Sequence, residues 1–332
     1  MKLIILLAGY GTRMRPHTWS RPKPLLRVAG NTVIGHILDQ MDALTFDDVI
    51  FVVGYKHEQI EAYIRETYPE MKSHFVIQEE ALGQAHAVWL CRDFLQTGDE
   101  TVIAFGDGIV KADFANMRAD CDGVFLIKET EDPRRFGILI QDEAGYVTHF
   151  VEKPKTVEHK QVLVGINWFR DGRQLQRALD TVIKDDRKTL GEYFMIDAYQ
   201  VMLEQGARFQ AKPCQEWEDA GKPDATLFTN RRLLTLGYGT ENAIERSYAE
   251  EFTVIPPVFI HPTAEISTSV IGPYATIEAN TVIRNSIIRN SIIDPGATIE
   301  SCILDEALIG ERAQVTGSGH ALFIGDDAVV HL

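Results

Sequence analysis

The C-terminal part of the sequence carries apolar residues at a regular spacing that restricts the fold more than any other feature. From residue 258 onward, branched aliphatic residues recur five or six positions apart, with Gly, Pro, Ala, Asn and Ser between them. The series consists of Ile260, Ile266, Ile271, Ile277, Ile283, Ile288, Ile293, Ile299, Leu304 and Ile309. A period near six is typical of a hexapeptide β-helix, whereas an antiparallel sandwich would show runs of period two. The spacing therefore predicts a parallel β-helix over 255–332.

The first 110 residues have a different pattern, in which short apolar runs alternate with amphipathic segments. The predicted strands are 2–7, 48–54, 74–78 and 101–107, and the predicted helices are 31–44 (with Asn31 as its cap), 56–67 and 84–96. Strands that alternate with helices indicate a parallel sheet with helices on both faces. From residue 123 onward a hairpin signal at 142–145 indicates antiparallel strands as well. Further helices are predicted at 173–184, 192–205 and 223–236.

Length and composition exclude several classes of protein. A chain of 332 residues exceeds the usual single domain, and its net charge of −15 argues against general binding of nucleic acid. Its apolar runs are too short to span a membrane, and the N-terminus lacks a signal peptide, so we expect a cytoplasmic protein. Four cysteines without metal-type spacing fit a reducing compartment as small core residues, and they are Cys91, Cys121, Cys214 and Cys302.

A cation-rich loop stands out against this negative background. Residues 6–30 read LLAGYGTRMRPHTWSRPKPLLRVAG and follow the first predicted strand, at the sheet edge where open α/β folds bind ligands. The loop contains five cations, Arg13, Arg15, Arg21, Lys23 and Arg27. Arg13 offers a planar fork for phosphate oxygens and Lys23 a point charge, whereas we interpret Arg21 and Arg27 as surface charges. The loop therefore predicts a site for a small polyanion.

The same loop resembles the signature of the sugar-1-phosphate nucleotidylyltransferases, G-x-G-T-R-x-x-P-x-T followed by K-P-L. This family includes glucose-1-phosphate thymidylyl- and uridylyltransferases and mannose-1-phosphate guanylyltransferases. The resemblance covers nearly the whole chain and is closest to the long-form thymidylyltransferases, which end in a β-helix. It implies a Rossmann-like, GT-A-like α/β domain with a mixed sheet over 1–236, a linker helix within 237–254 and a left-handed parallel β-helix over 255–332.

The resemblance also implies which residues bind the nucleotide. The implied set is Leu6, Ala8, Gly9, Gly11, Thr12, Arg13, Gln78 and Gly83. Gly9 and Gly11 would let the backbone approach the phosphates, and Gly83 would lie near the base or ribose. The Gln78 amide can donate and accept at once, which complements the O4/N3 edge of thymine or uracil.

The resemblance further implies a metal site and a sugar-phosphate site. Asp107 and Asp219 would bind Mg²⁺, which prefers hard oxygen ligands. The sugar phosphate would contact Gly137, Glu152, Lys153 and Gly165, and the catalytic cations would be Arg13, Lys23 and Lys153. The chain departs from the family pattern at Asn167, where an aromatic residue is common, and at Gly108, where Asn is common.

These motifs predict an enzyme that condenses dTTP or UTP with a sugar 1-phosphate, namely glucose 1-phosphate, and releases pyrophosphate. The alternatives are a mannose-1-phosphate guanylyltransferase, a bifunctional nucleotidyl/acetyltransferase and an inactive regulatory subunit of the same fold. An acetyltransferase would need an active-site histidine in the β-helix, but we interpret the three histidines there as surface or terminal residues, His261, His320 and His331. We expect the β-helix to mediate homo-oligomerisation.

Overall fold

The computed structural model describes residues 1–240 and 252–317, which fall into two compact units. The first unit comprises Met1–Leu26 and Thr32–Ala225. The second comprises, among the described residues, Arg27–Asn31, 226–240 and 252–317. Most of the predicted linker helix lies in 241–251, outside the described residues, as do His320 and His331. The domain boundary at residue 236 stays a prediction.

Strands and helices alternate along residues 1–240. The strands are β1 (Lys2–Leu6), β2 (Arg27–Val28), β3 (Asn31–Thr32), β4 (Asp48–Val53), β5 (Ser73–Ile77), β6 (Thr101–Phe105), β7 (Gly108–Lys111), β8 (Gly123–Glu129), β9 (Gly137–Gln141), β10 (Val147–Glu152), β11 (Gln161–Phe169), β12 (Phe209–Pro213) and β13 (Glu216–Asp219). The helices are α1 (Val33–Gln40), α2 (His57–Thr67), α3 (Gln84–Leu90), α4 (Arg92–Leu95), α5 (Gly172–Lys184), α6 (Met195–Glu204) and α7 (Pro223–Thr235).

The first unit is built on a nine-stranded mixed sheet. Its main strand order is β10-β9-β11-β6-β1-β4-β5, and β8 pairs with both β11 and β12. β1 is parallel to β4 and β6, whereas β11 is antiparallel to β6, β8 and β9. The predicted hairpin is present between β9 and β10, where Gly145 donates to the Asp142 carbonyl over 3.0 Å. The predicted α/β fold class is confirmed.

Burial follows the apolar pattern of the sequence. Leu3, Ile4 and Ile5 of β1 are fully buried, and all four cysteines are buried, as the composition predicts. Helix α1 differs from the prediction because Thr32, rather than Asn31, accepts the hydrogen bond from the Gly35 amide (2.9 Å). Among the described residues, no helix is both long and apolar enough to cross a bilayer.

Short strands in the second unit stack into three parallel sheets. From residue 252 onward they are β14 (Phe252–Val254), β15 (Phe259–Ile260), β16 (Glu265–Ser267), β17 (Ser269–Ile271), β18 (Thr276–Ile277), β19 (Val282–Arg284), β20 (Ile287–Arg289), β21 (Ile292–Ile293), β22 (Thr298–Glu300), β23 (Ile303–Asp305), β24 (Leu308–Ile309) and β25 (Gln314–Thr316). Every third strand belongs to the same sheet. The apolar series stacks in register, for example Ile260, Ile277, Ile293 and Ile309. This architecture is consistent with the predicted left-handed β-helix.

Arg27 belongs to this second unit, and its interpretation as a surface charge is wrong. Its guanidinium lies 3.1 Å from the carboxylate of Glu278, which is fully buried. A buried carboxylate needs a cation beside it, which explains why an arginine 251 positions away in the chain is held here. Asn230 of α7 joins the same unit, accepting from the Ala29 amide (2.8 Å) and from the Thr276 hydroxyl (2.6 Å).

Candidate active site

Two adjoining cavities lie at one edge of the first unit's sheet. The smaller has a volume of about 340 Å³ and the larger about 610 Å³. The eight residues predicted to bind nucleotide all line the smaller cavity, and the four predicted to bind the sugar phosphate all line the larger. Arg13, Gln84, Phe105 and Asp107 line both. The predicted site residues are therefore brought together around a shared boundary.

The loop after β1 is shaped by Gly11. Its φ of +62° is left-handed, and a side chain there would come within 3.0 Å of the Lys23 Cβ and 3.1 Å of the Thr18 Cγ2. The Thr18 hydroxyl donates to the Gly11 carbonyl over 2.8 Å, which closes the loop. Arg13 is exposed just beyond this turn, and its Nη2 would lie 3.1 Å from a Cβ added at Gly221. Gly11 thus permits the close packing that holds Arg13 and Lys23 on one cavity wall.

Lys23 is a buried cation at the centre of the site. Burial lowers its pKa, the neighbouring carboxylates of Asp107 and Asp219 raise it, and Arg13 lowers it. All three charged groups therefore act on the same ammonium. The interpretation of Arg21 as a surface charge is wrong, since only 8% of its surface is exposed, and its charge contributes to the lowered pKa of His17.

The two candidate metal ligands are neighbours across a strand pair. Asp219 ends β13 opposite Gly108, the first residue of β7, so it lies beside Asp107. The Ala220 amide donates to the Asp107 carbonyl (3.3 Å), and the Gly221 amide donates to Asp219 Oδ1 (2.6 Å). Both carboxylates are exposed and line the larger cavity. Two adjacent hard oxygen donors suit Mg²⁺, which takes its other ligands from water and phosphates.

No larger cluster of metal-ligand side chains accompanies this pair. Within residues 1–240 and 252–317, no group of three or more His, Cys, Asp or Glu could hold a metal ion. The pair itself offers two carboxylates that face a cavity lined by cations. Such a site is suited to an ion that arrives with a phosphate ligand rather than to a fully protein-bound ion.

Glu152 and Lys153 form the polar wall of the larger cavity. Burial raises the pKa of Glu152, while Lys153, whose Nζ lies 3.8 Å from the carboxylate, partly opposes that shift. Lys153 adopts a left-handed φ of +46°, and its amide donates to the Phe136 carbonyl over 3.0 Å. A side chain at Gly137 would come within 3.1 Å of Glu152 Oε2. Gly137 therefore leaves the Glu152 carboxylate room at the cavity surface.

Gln78 is held by two hydrogen bonds that sequence reasoning missed. Its Nε2 donates to the Gly83 carbonyl and to Nδ1 of His86, both over 3.1 Å. Both amide hydrogens are thereby used within the protein, so the amide presents Oε1 to a ligand rather than a donor and an acceptor together. Packing alone requires a glycine at position 83, because a side chain there would lie 2.5 Å from the Tyr193 carbonyl oxygen.

Several further residues of the larger cavity escaped the sequence analysis. They are Arg134, Arg135, Phe136 and Tyr199. The paired arginines lie two and three positions before Gly137 in the sequence, which is a signal that could have identified them. Gly165 packs its backbone against Phe105, where a side chain would come within 2.9 Å of the ring. Tyr199 gave no such signal, since it is a helix residue that reaches the cavity only through packing.

Comparison with known proteins identifies the family of this chain. The family model "Nucleotidyl transferase" matches residues 2–235. A bifunctional protein GlmU from Methanocaldococcus jannaschii is 30% identical over 234 residues, covering 70% of this chain and 54% of its own length. The chain thus spans about half the length of these relatives. A glucose-1-phosphate thymidylyltransferase from Streptomyces griseus is 29% identical over 353 residues, covering 98% of each chain.

A solved structure supports the fold. It is a crystal structure from Bacillus anthracis, provisionally named a glucose-1-phosphate thymidylyltransferase and in complex with sucrose. It aligns with a TM-score of 0.59 at 24% identity, covering 69% of this chain and 94% of the other. The two chains therefore share a fold. The chain belongs to the nucleotidyl transferase family.

Proposed function

We propose that this chain is a Mg²⁺-dependent sugar-1-phosphate nucleotidylyltransferase that condenses dTTP or UTP with glucose 1-phosphate. The products would be the nucleoside diphosphate sugar and pyrophosphate, and glucose-1-phosphate thymidylyltransferase is the specific activity we favour. The observation that carries the proposal is the pair of cavities that meet at Arg13 and Asp107. One cavity is lined by a glycine turn and the other by Glu152 and Lys153, which suits two different anionic substrates.

The reaction needs positioning and charge stabilisation more than proton transfer. A phosphate oxygen of the sugar 1-phosphate attacks the α-phosphorus of the nucleoside triphosphate. The bond from that phosphorus to the oxygen that bridges it to the β-phosphate breaks, and pyrophosphate leaves. The nucleophile is already an anion, so no general base and no covalent intermediate are needed. Arg13 and the turn at Gly11 would hold the β- and γ-phosphates and stabilise the departing pyrophosphate. Lys23 and Lys153 would offset the repulsion between the two reactants.

Mg²⁺ held by Asp107 and Asp219 would supply Lewis-acid stabilisation of the phosphate charges. Other residues of this chain would bind the phosphate and the sugar. Lys23 is buried near the carboxylates of Asp107 and Asp219, and as a compact cation it would bind a phosphate oxygen directly. Glu152 would accept hydrogen bonds from sugar hydroxyls, and Gly165 would allow the sugar to lie against the backbone.

An inert regulatory role is the weaker hypothesis. A non-catalytic subunit of this fold would be expected to lack one of the charged groups, whereas Arg13, Lys23, Asp107 and Asp219 all line the two cavities. We further propose that the second unit mediates homo-oligomerisation and that the protein acts in the cytoplasm, where its four buried thiols stay reduced.

The test is pyrophosphate release by the purified full-length chain with Mg²⁺. The triphosphates would be dTTP, UTP, GTP, CTP and ATP, each with glucose, mannose, galactose or N-acetylglucosamine 1-phosphate. We expect release with dTTP or UTP and glucose 1-phosphate. Preference for GTP with mannose 1-phosphate would favour the guanylyltransferase, and acetyl-CoA consumption would favour a bifunctional enzyme. Absence of release with every pair would refute the proposal.

A further inference from the structure

The larger cavity is lined by a buried polar side chain, that of Asn167, which none of the roles proposed above uses. Asn167 lies on β11, and only 1% of its surface is exposed. Its Nδ2 donates to the hydroxyl of Tyr199 over 2.9 Å, whereas its Oδ1 is buried without a hydrogen-bond partner among the described residues. A buried acceptor that is left without a partner lowers stability, so its retention requires a reason.

The tyrosine partner of Asn167 lies among aromatic rings. Tyr199 is itself buried, and its ring packs against aromatic rings at centroid distances of 4.7 to 5.8 Å, those of Phe125, Phe150 and Phe169. Burial raises the pKa of Tyr199 above its usual range, so its hydroxyl keeps its proton. That hydroxyl accepts from Asn167, and no acceptor for its own proton is found among the described residues.

Both side chains line the larger cavity, which also contains Glu152 and Gly165. The pair thus offers the cavity an acceptor on Asn167 and a donor on Tyr199. Exchanging the amide oxygen and nitrogen does not alter the conclusion, because the tyrosine would then donate to Oδ1 and leave Nδ2 without a partner. An alcohol group complements the pair best, since it can donate and accept at one position.

We propose that Asn167, positioned by Tyr199, is a specificity-determining residue that hydrogen-bonds one ring hydroxyl of the sugar 1-phosphate. This inference rests on the proposed function, and it adds a requirement that the substrate carry a hydroxyl at that one position. A sugar phosphate that lacks this hydroxyl would bury the Asn167 oxygen without a partner. Sites built to bind a hydroxyl discriminate strongly against the analogue without it.

The test uses the full-length enzyme with glucose 1-phosphate and its 2-, 3-, 4- and 6-deoxy analogues, with kcat/KM as the readout. In the wild type we expect one deoxy analogue to lose about 10- to 100-fold more than the others. In Asn167→Leu, kcat/KM for glucose 1-phosphate should fall by a similar factor, and the penalty at that one position should disappear. The penalties at the other positions should remain.

Tyr199→Phe is a second variant that is less disruptive to folding than Asn167→Leu, because it removes one oxygen and keeps the ring. It should weaken the same position-specific penalty, and it decides the question if Asn167→Leu does not fold. Asn116→Leu is the control, since Asn116 is exposed and lines neither cavity. An unchanged set of penalties in the Asn167 and Tyr199 variants, or an equal loss for all five substrates, would overturn the inference. Lack of turnover by the wild type with every sugar phosphate would instead refute the proposed function.

Discussion

Gln78 donates to Nδ1 of His86 over 3.1 Å, and this contact fixes the residue we assign to base recognition. The nitrogen of His86 can accept this hydrogen bond only while it carries no proton. Burial lowers the pKa of His86 below its ordinary value of 6.5, so the ring is neutral at physiological pH. His86 is therefore a positioning residue that acts through Gln78, and two predictions about nucleotide binding depend on it.

His86→Phe should raise KM for the nucleotide by about 3- to 10-fold and leave kcat nearly unchanged. The substitution keeps an aromatic ring beside Trp89 and Tyr193 but removes the acceptor for Gln78. Steady-state kinetics with dTTP and UTP measure the effect, and His149→Phe, at an exposed position of β10, is the matched control. An unchanged KM in His86→Phe would show that the hydrogen bond has no part in nucleotide binding.

The same contact predicts a pH dependence. Protonation turns Nδ1 of His86 into a donor, which cannot accept from Gln78, so KM for the nucleotide should rise as the pH falls through the lowered pKa of His86. It should stay constant between pH 7 and 8. In His86→Phe this acid-side rise should be absent. A rise of equal size in both proteins would assign the titration to another group.

Arg13→Ala and Asp107→Ala should each lower kcat by about 100-fold or more, the range seen when one preorganised charge-stabilising group is removed. Arg15→Ala is the control for Arg13, because Arg15 is an exposed cation of the same loop and lines neither cavity. Pyrophosphate release measured at saturating substrates gives the answer. Release at the wild-type rate by either site variant would contradict the assigned roles.

Glu152→Gln should raise the thermal midpoint at pH 7.5 while it increases KM for the sugar phosphate about 10-fold. Burial raises the pKa of Glu152, so the ionised form destabilises the folded state at neutral pH. That penalty is absent when the carboxyl is protonated in both states, below its ordinary pKa of 4.5, so the advantage of the variant should shrink as the pH falls. Calorimetry from pH 4 to 8 tests this, with exposed Glu131→Gln as the control.

Arg27→Ala should destabilise the second unit by about 1–3 kcal/mol, because it leaves the buried Glu278 carboxylate without this guanidinium. The range is below that of a fully buried pair, since about a third of the Arg27 side chain is exposed to solvent. Arg312→Ala removes an exposed ion pair with Glu311 and should change stability by less than about 0.5 kcal/mol. Urea unfolding compares the two, and equal effects would contradict a structural role for Arg27.

The sequence predicted those features that depend on local pattern. Strand ends, the glycine turn and the period-six stacking of residues such as Ile277 and Ile293 all follow from residues close together in the chain. The pair of Asp107 and Asp219 could be expected only through the resemblance to a family. Nothing in local spacing predicted that Tyr199 reaches Asn167 or that Arg27 reaches Glu278, because these contacts join distant segments through tertiary packing.

The same distinction explains the errors at single residues. Asn31 and Thr32 are both good helix caps and both lie in β3, and Thr32 is the cap because the helix begins at Val33 and the Thr32 hydroxyl accepts from the Gly35 amide. Arginine is usually found at the protein surface, and only the folded loop shows that Arg21 is buried. Gly83 is required by the backbone of Tyr193, which lies more than a hundred positions further along the chain.

The most direct test of the central claim is the fate of isotopic oxygen from the sugar phosphate. Glucose 1-phosphate labelled with ¹⁸O in its non-bridging phosphate oxygens would be incubated with the enzyme, dTTP or UTP, and Mg²⁺. Mass spectrometry would then measure the ¹⁸O content of each product. Direct attack on the α-phosphorus predicts that all of the label is found in the nucleoside diphosphate sugar and none in the pyrophosphate. Label in the pyrophosphate, or pyrophosphate formed without any nucleoside diphosphate sugar, would contradict the account.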